Sequence, residues 1–214
     1  LNPDFLFDLP EYKEFGAVFW PDFWTTDGEN QIWEIIGTPV NNEKEQESGQ
    51  ILINKERCWA EINLVVYFNL NSHIYYNYLI GDKDTFRFAW LALKRPFYFV
   101  KHEVASCGYI DTDGLFVGNT MVQHIPDGRI TFLHRNLLKW DEAVPEIQTW
   151  EKIKKFTSTS IEKEYILYRD FRKERNVMNL EGDIIMLDFK ELFGDLESRC
   201  LAYLQTLPEI VGSM

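Results

Sequence analysis

No run of apolar residues in this 214-residue sequence approaches the roughly 20 that are needed to cross a bilayer. The start of the chain also lacks the charged and apolar regions of a secretory signal peptide. Neither a transmembrane helix nor a signal peptide is therefore predicted within these residues. The chain opens on Leu1-Asn2-Pro3 rather than on methionine, which suggests a segment cut from a longer protein.

Basic residues are few in comparison with acidic ones. The chain has 22 lysines and arginines against 34 aspartates and glutamates, which gives a formal net charge of -12. No basic run or basic helix face appears along the sequence. Nucleic acid and anionic membrane surfaces are therefore poor candidate partners, because both attract basic surfaces.

Cysteine is scarce as well, with only Cys58, Cys107 and Cys200. None of the three stands in a C-x-x-C or Cys/His ligand spacing, so neither a disulfide framework nor a structural zinc site is indicated. Buried thiols are the simplest interpretation, and one disulfide stays open. A content of 45% hydrophobic residues is enough for one sizeable core, and we predict one domain or one part of a domain over residues 1–214.

The first hundred residues alternate between strand-like and helix-like segments. FGAVFW (15–20) predicts a buried strand, ended by Pro21, that delivers Trp20 and Asp22 to a loop. ENQIWEII (29–36) predicts a short helix. Buried strands with both faces covered favour an α/β architecture.

A second pair of elements follows an acidic, Asn-rich loop at 38–47. QILIN (50–54) predicts a strand, and 55–69 predicts a helix that buries Trp59, Ile62 and Val66. A further short helix is expected at 74–79.

From residue 97 the pattern changes to strands. Turn signals at DTDG and IPDG predict hairpins, and the chain then ends in a helical part over 141–214, with Leu192, Leu196 and Cys200 at four-residue spacing. The sequence therefore predicts a mixed sheet flanked by helices, with a motif-bearing part at 1–140.

The segment GDKDTFRFAW (81–90) places Asp82 and Asp84 one residue apart before an apolar helix. Asp82 fits the N-cap, and Asp84 lies in the first turn, where the helix dipole favours negative charge. A metal-binding D-x-D is the alternative, although that motif usually follows a strand. The helix is expected to bury Phe86, Ala89, Trp90 and Leu93.

Two other segments offer ligand-binding chemistry. In ESGQILIN (47–54), glycine lets a ligand approach the backbone and Glu47 with Gln50 can bind hydroxyls, although a plain turn explains the pattern equally well. In FLHRNLLKW (132–140), His134 ends a strand and is a candidate metal ligand, and Lys139 can neutralise a phosphate.

Some aromatic residues and one further histidine are also candidates. Among the seven tryptophans, the candidates for stacking on a sugar ring are Trp20, Trp24 and Trp140, beside charged residues in predicted loops. His124, which ends the strand facing that of His134, competes with it as a metal ligand.

Four stretches in this order, GAVFWPDFW, ESGQILINK, GDKDTFRFAW and VQHIPDGRITFLHRNLLKW, resemble the fungal Golgi α-mannosyltransferases of glycosyltransferase family 71. The resemblance covers residues 2 to about 140. It implies a GT-A fold, a manganese ion at the donor diphosphate, and retaining transfer of mannose from GDP-mannose to mannosylated glycans of glycoproteins in α-1,2 or α-1,3 linkage.

The resemblance also implies roles for single residues. By similarity to glycogenin-like retaining transferases, Asp84, Asp82 and Glu47 would act on the reacting sugar, and His134 would bind manganese. Donor and acceptor binding would involve Trp20, Asp22, Ser48, Gly49, Gln50 and Lys139. The spacing from His134 to Lys139 is one residue shorter than in those enzymes, and no glycine lies between them.

The family pattern places a metal-binding D-x-D just upstream of residue 1. It also implies a type II protein of the Golgi membrane with a lumenal catalytic domain, anchored by an N-terminal span that this sequence lacks, and assembly with other Golgi mannosyltransferases as a further partner. Two alternatives stay open: the same fold with another nucleotide sugar, such as UDP-glucose or UDP-galactose, and a non-catalytic carbohydrate-binding or assembly module.

Overall fold

The computed structural model describes residues 2–140 and 148–211. It forms two compact units, each with its own sheet. Unit 1 comprises Leu1–His102 with Ile125–Gly128, and unit 2 comprises Glu103–His124 with Arg129–Met214. The predicted α/β class with sheets flanked by helices is confirmed.

Unit 1 is built around a three-stranded sheet in which β1 is central. Its elements are a 3-10 helix (Pro3–Asp8), α1 (Pro10–Phe15), β1 (Ala17–Thr25), α2 (Ile32–Ile35), β2 (Lys44–Ile53), α3 (Trp59–Leu70), α4 (Ser72–Tyr75), α5 (Lys83–Ala92) and β3 (Tyr98–Phe99). β1 runs antiparallel to β2 and parallel to β3. The predicted strands and helices of this region are therefore confirmed in type and order.

The core of unit 1 lies between the sheet and α5. Phe88, Ala89 and Trp90 of α5 are buried there, and the Trp90 ring meets the Phe19 ring edge-on at 5.0 Å between centroids. An edge-to-face pair at this separation stabilises the packing of the helix against the strand. Leu93, which we expected on the buried face, lies beyond the helix end and is exposed.

The buried face of α3 differs from the prediction. Trp59 is 64% exposed and Val66 is 50% exposed, whereas Val65 and Phe68 face the core. The apolar residues run almost without interruption through INLVVYF, so the periodicity does not select one face.

Unit 2 is a seven-stranded sheet with two helices at the end of the chain. Its elements are β4 (Ala105–Ile110), β5 (Phe116–His124), β6 (Ile130–His134), β7 (Lys152–Phe156), β8 (Lys163–Asp170), β9 (Arg175–Gly182), β10 (Ile184–Asp188), α6 (Phe189–Phe193) and α7 (Leu196–Val211). The strand order is β10-β7-β4-β5-β9-β8, with β6 also paired to β5. The two hairpins predicted at DTDG and IPDG are confirmed as β4–β5 and β5–β6.

The prediction of a helical part over 141–214 is wrong for most of its described residues, while 141–147 lie outside them. Four strands, β7 to β10, occupy 152–188, and helices occupy only Phe189–Phe193 and Leu196–Val211. The β8–β9 hairpin turns at Glu174, which takes a φ of 50° without being glycine, so the sequence carries no turn signal there. Gly194 separates the two helices, so Leu192 does not share a helix with Leu196 and Cys200. No described helix is long and apolar enough to cross a membrane.

Candidate active site

Asp82 stands at the N-cap position of α5, but its side chain makes no capping hydrogen bond. The predicted capping role is therefore wrong. Its backbone has φ -84° and ψ -22°, which is helical, whereas a capping residue normally takes an extended conformation. The Asp82 carboxylate is exposed.

Asp84 is only 2% exposed, and both of its oxygens are engaged. Oδ1 accepts a hydrogen bond from the backbone N–H of Gln46 at 3.0 Å, and Oδ2 lies 3.3 Å from Nζ of Lys83. The Arg87 Nε is 3.7 Å from Oδ1. Asp84 therefore links the first turn of α5 to the edge of β2.

Lys83 joins carboxylates from three elements. Its Nζ lies 2.6 Å from Oδ2 of Asp22 in β1 and 2.6 Å from Oε2 of Glu45 in β2, in addition to Asp84. We call Asp22, Glu45, Lys83, Asp84 and Arg87 the carboxylate cluster. With every member ionised, its three acids outnumber its two bases, so the cluster keeps negative charge.

Burial changes the proton affinity of this cluster. Desolvation raises the pKa values of Asp22 and Asp84 above 3.8, against the opposing charge of Lys83. Burial alone would lower the pKa of Lys83, but the charges of Asp84 and Asp22 outweigh it and the pKa is raised. Shifted carboxyl groups around a charged lysine are a common property of active sites.

Arg87 connects the carboxylate cluster to the segment between β1 and β2. Its side chain is fully buried and donates to Oγ1 of Thr26 at 3.0 Å and to Oδ1 of Asn41 at 3.4 Å. The guanidinium carbon lies 5.7 Å from the centre of the Trp33 ring. Burial lowers the pKa of Arg87, while the charge of Asp84 opposes this effect.

The ESGQ segment lies inside β2, so the interpretation of this segment as a turn is wrong. Glu47 pairs with Trp20 of β1, and residues 48–50 lie in the bulge where the β1–β2 register shifts between Val18 and Trp20. Oε1 of Glu47 accepts from the backbone N–H of Gly49 at 2.7 Å, and the Glu47 charge contributes to the raised pKa of Asp22. Ser48 and Gln50 are half-buried.

Trp20 and Asp22 lie within β1, not in a loop, because the strand continues through Pro21 to Thr25. Trp20 is 1% exposed, so its ring face is not available to a sugar in this conformation. Trp24 is 36% exposed near the end of the strand. The prediction of Trp20 as a stacking residue is therefore not supported by its burial.

In unit 2, His134 is the last residue of β6, as predicted, and pairs with Met121 of β5. Lys139 is exposed, and Trp140 packs with its ring centre 5.3 Å from that of Trp150. His124 is buried at the end of β5.

Arg135, the other cation of the FLHRNLLKW segment, lies in an ion pair. Its Nη1 is 2.9 Å from Oε1 of Glu197 in the first turn of α7. Arg135 therefore ties α7 to the segment after β6 and is not available to a phosphate.

A manganese site is not complete within residues 2–140 and 148–211. No three histidine, cysteine, aspartate or glutamate side chains of this part come together in a way that could hold a metal ion. His134 can supply one ligand, whereas such ions take several oxygen or nitrogen ligands.

Sequence reasoning missed Glu45, Gln46, Lys83 and Arg87. Lys83 and Arg87 stand four positions apart on α5. Two cations on one side of a helix that is predicted to be buried were a usable signal of a buried ionic cluster. Gln46 gave no signal. It is fully buried, and neither atom of its amide has a hydrogen-bond partner among the described residues.

Residues 40–125 match a family model described as "Mannosyltransferase putative". The matched segment contains every member of the carboxylate cluster except Asp22. The resemblance to fungal mannosyltransferases is confirmed by curated relatives.

Three relatives illustrate this similarity. Alpha-1,2-mannosyltransferase MNN22 of Candida albicans is 29% identical over 170 residues, which are 58% of this chain and 29% of the relative. Alpha-1,2-mannosyltransferase MNN23 of the same organism is 25% identical over 72% of this chain and 34% of its own length. Alpha-1,2-mannosyltransferase MNN2 of Saccharomyces cerevisiae is 27% identical over 56% of this chain and 28% of its own length. The chain thus spans about a third of the length of these relatives.

Proposed function

We propose that this chain forms part of the catalytic domain of a retaining α-mannosyltransferase with a GT-A fold. The reaction moves mannose from GDP-mannose to mannose-containing glycans of glycoproteins. The observation that carries the proposal is that the family match at 40–125 coincides with Glu45, Lys83, Asp84 and Arg87, four members of one buried ionic cluster.

The chemistry of the cluster supports this function. Departure of GDP leaves positive charge on the anomeric carbon of mannose, and fixed negative charge in a poorly solvated site stabilises such a transition state. The side chains of Lys83 and Glu45 are 16% and 13% exposed, whereas that of Asp84 is 3% exposed. These values support a role in which Asp84 holds Lys83 and, through it, orients the more accessible Glu45.

The test is a transfer assay with the purified full-length protein, in which residues 1–214 are joined to the segment that the family pattern places before them. We expect a mannosylated product, detected by mass spectrometry, from GDP-mannose and mannobiose, and none from UDP-glucose or UDP-galactose. Asp84→Asn should lower the rate about 100-fold while GDP-mannose binding survives. Binding of mannobiose without turnover by any donor would instead favour a carbohydrate-binding module.

A matched control separates the cluster from general charge effects. Asp4→Asn makes the same substitution at an exposed carboxylate of unit 1 and should leave the transfer rate unchanged. Equal rates in Asp84→Asn and Asp4→Asn would remove the carboxylate cluster from the mechanism.

Manganese dependence and Golgi residence are further parts of the proposal that rest on the resemblance. If His134 supplies a metal ligand, His134→Ala should raise the manganese concentration that half-maximal transfer requires. An unchanged requirement would exclude His134. Location in the Golgi membrane is tested by imaging a tagged full-length protein in fungal cells.

A further inference from the structure

Helix α3 carries apolar residues on its outer side as well as on its inner side. Val65 and Phe68 pack into the core of unit 1, whereas Trp59, Tyr67 and Leu70 are more than half exposed. A helix with one side in water normally has polar residues on that side, and a helix that is apolar on all sides is normally buried on all sides. The sequence of α3 is therefore typical of a buried helix, although the described residues cover only one side of it.

The exposed apolar residues of α3 lie on one face. Trp59, Val66 and Leu70 stand at i, i+7 and i+11, which brings them to the same side of the helix, and Tyr67 lies beside them. We call these four residues the outer face of α3. Exposed apolar patches of this kind mark interaction sites on protein surfaces.

The outer face lies in a part of the chain without charge. Charged residues make up 26% of the sequence, but none occurs in residues 62–81. Glu61, in the first turn of α3, is buried, and its Oε1 lies 2.7 Å from Nε of Arg95. Asn63 turns its amide back to the helix and donates to the backbone oxygen of Trp59 at 2.6 Å. An apolar protein segment therefore fits the outer face, because contact with it leaves no charge to be desolvated.

The start of the described chain lies beside the start of α3. Nη1 and Nη2 of Arg57 donate to the backbone oxygens of Lys13 and Glu14 in α1, at 2.7 and 2.5 Å. The ring of Phe7, in the 3-10 helix, meets the Tyr12 ring of α1 edge-on at 5.6 Å between centroids. Since α1 is about 9 Å long, polypeptide that precedes residue 1 would reach unit 1 close to the first turn of α3.

We propose that polypeptide preceding residue 1 folds against the outer face of α3 in the full-length protein and buries Trp59, Val66 and Leu70. This chain spans about a third of the length of its relatives, so a protein of their length has ample polypeptide for this contact. The helix is then shared by unit 1 and the preceding part of the same molecule. The predicted burial of Trp59 and Val66, which is wrong for residues 1–214 alone, would hold in the full-length protein.

The test is the rate at which a water-soluble maleimide labels Leu70→Cys in the purified full-length protein, with the labelled site read by peptide mass spectrometry. We expect labelling to be at least about 100-fold slower in the folded protein than in urea, because the covering segment has to move away before the reagent reaches the thiol. Leu115→Cys is the matched control, since it makes the same substitution at the exposed turn between β4 and β5. Its labelling should stay within about threefold of its rate in urea.

A photoreactive benzophenone amino acid in place of Trp59 identifies what covers the helix. Irradiation should cross-link position 59 to a peptide that precedes residue 1 in the same molecule. A mixture of isotope-labelled and unlabelled protein distinguishes this product from a cross-link between two copies, which would contain both isotopic forms.

Three results would overturn the inference: labelling of Leu70→Cys within about threefold of its rate in urea, protection that disappears when the protein is diluted about 100-fold, or the absence of a cross-link from position 59 to a preceding peptide. A cross-link to a second copy or to lipid alone belongs to the third result. If Leu70→Cys fails to fold, as tryptophan fluorescence would show, the cross-link decides without it. Neither measurement depends on turnover, so failure of the proposed reaction would leave this interface in place.

Discussion

The ammonium nitrogen of Lys83 lies 2.6 Å from Oδ2 of Asp22, a residue 61 positions earlier in the chain. The same nitrogen lies 2.6 Å from Oε2 of Glu45. One lysine at the start of α5 thus holds both long strands of the unit 1 sheet. This contact is the centre of the candidate site, and it also makes Lys83 important for stability.

Replacement of Lys83 by methionine should destabilise unit 1. Three carboxylates would remain around a position from which their main cation is gone, and removal of one partner from a buried ion pair costs about 3 kcal/mol. Urea unfolding followed by tryptophan fluorescence measures this loss. Lys55→Met, at an exposed lysine of the same unit, should change the free energy of unfolding by less than about 0.5 kcal/mol. Equal stability of both variants would contradict the prediction.

The stability contributed by Asp84 should depend on pH with a definite sign. Burial holds the pKa of Asp84 above 3.8 in the folded protein, so the folded state takes up a proton more readily than the unfolded chain. Stability therefore falls as pH rises through the window just above 3.8. We expect the free energy of unfolding of the original protein, relative to Asp84→Asn, to increase as pH is lowered from about 7 to about 4. A difference that stays flat would show that folding does not change the pKa of Asp84, and one that shrinks would show that the carboxylate is stabilised in its charged form; either result would contradict the prediction.

Asp111 in unit 2 should show the opposite sign. Hydrogen bonds from Lys173 and Arg175 hold the pKa of Asp111 well below its usual value of 3.8, and the Lys173 Nζ lies 2.8 Å from Oδ2. The stability from this contact is present above 3.8 and is lost as pH falls through the folded pKa. At neutral pH the original protein should therefore have a higher free energy of unfolding than Asp111→Asn. This stability advantage should disappear as pH is lowered in the same urea series. An advantage that grows at low pH would refute this assignment.

Gln46→Met should stabilise the protein. The amide of Gln46 is buried without a partner in the described part of the chain, and methionine has a similar length with no amide to desolvate. Removing an unsatisfied polar group should raise the free energy of unfolding by about 1 kcal/mol. Gln31→Met, at an exposed amide, serves as the control with no expected change. A lower stability in Gln46→Met would mean that the amide makes a hydrogen bond in solution.

The sequence predicted those elements of the fold whose signals are local. The DTDG and IPDG turns marked boundaries, and α5 showed a clear apolar period, whereas Pro21 did not end β1 as predicted. The hairpin of β8 and β9 was missed because Glu174, and not a glycine, takes the left-handed conformation at its turn. Without a turn residue such as glycine to mark its end, a strand cannot be distinguished from a polar helix by the period of its apolar residues alone.

The candidate site was predictable only in part, for a different reason. Asp84 drew attention because it stood one residue from Asp82, but its partner Gln46 comes from a strand that is distant in sequence. Lys83 stood between the two aspartates and was overlooked, because no residue near it in sequence reveals the carboxylates that it meets in the fold. Such pairings follow from sheet register, which a single sequence does not specify here.

The hydrogen bond from the Gln46 backbone to Asp84 has a consequence for the choice of variants. Gln46 is fully buried, so its N–H is out of reach of solvent, and the Asp84 carboxylate is the acceptor that satisfies it. Asparagine at position 84 keeps an acceptor there, whereas alanine would leave a buried N–H unpaired. Loss of activity in an alanine variant would therefore be confounded by misfolding.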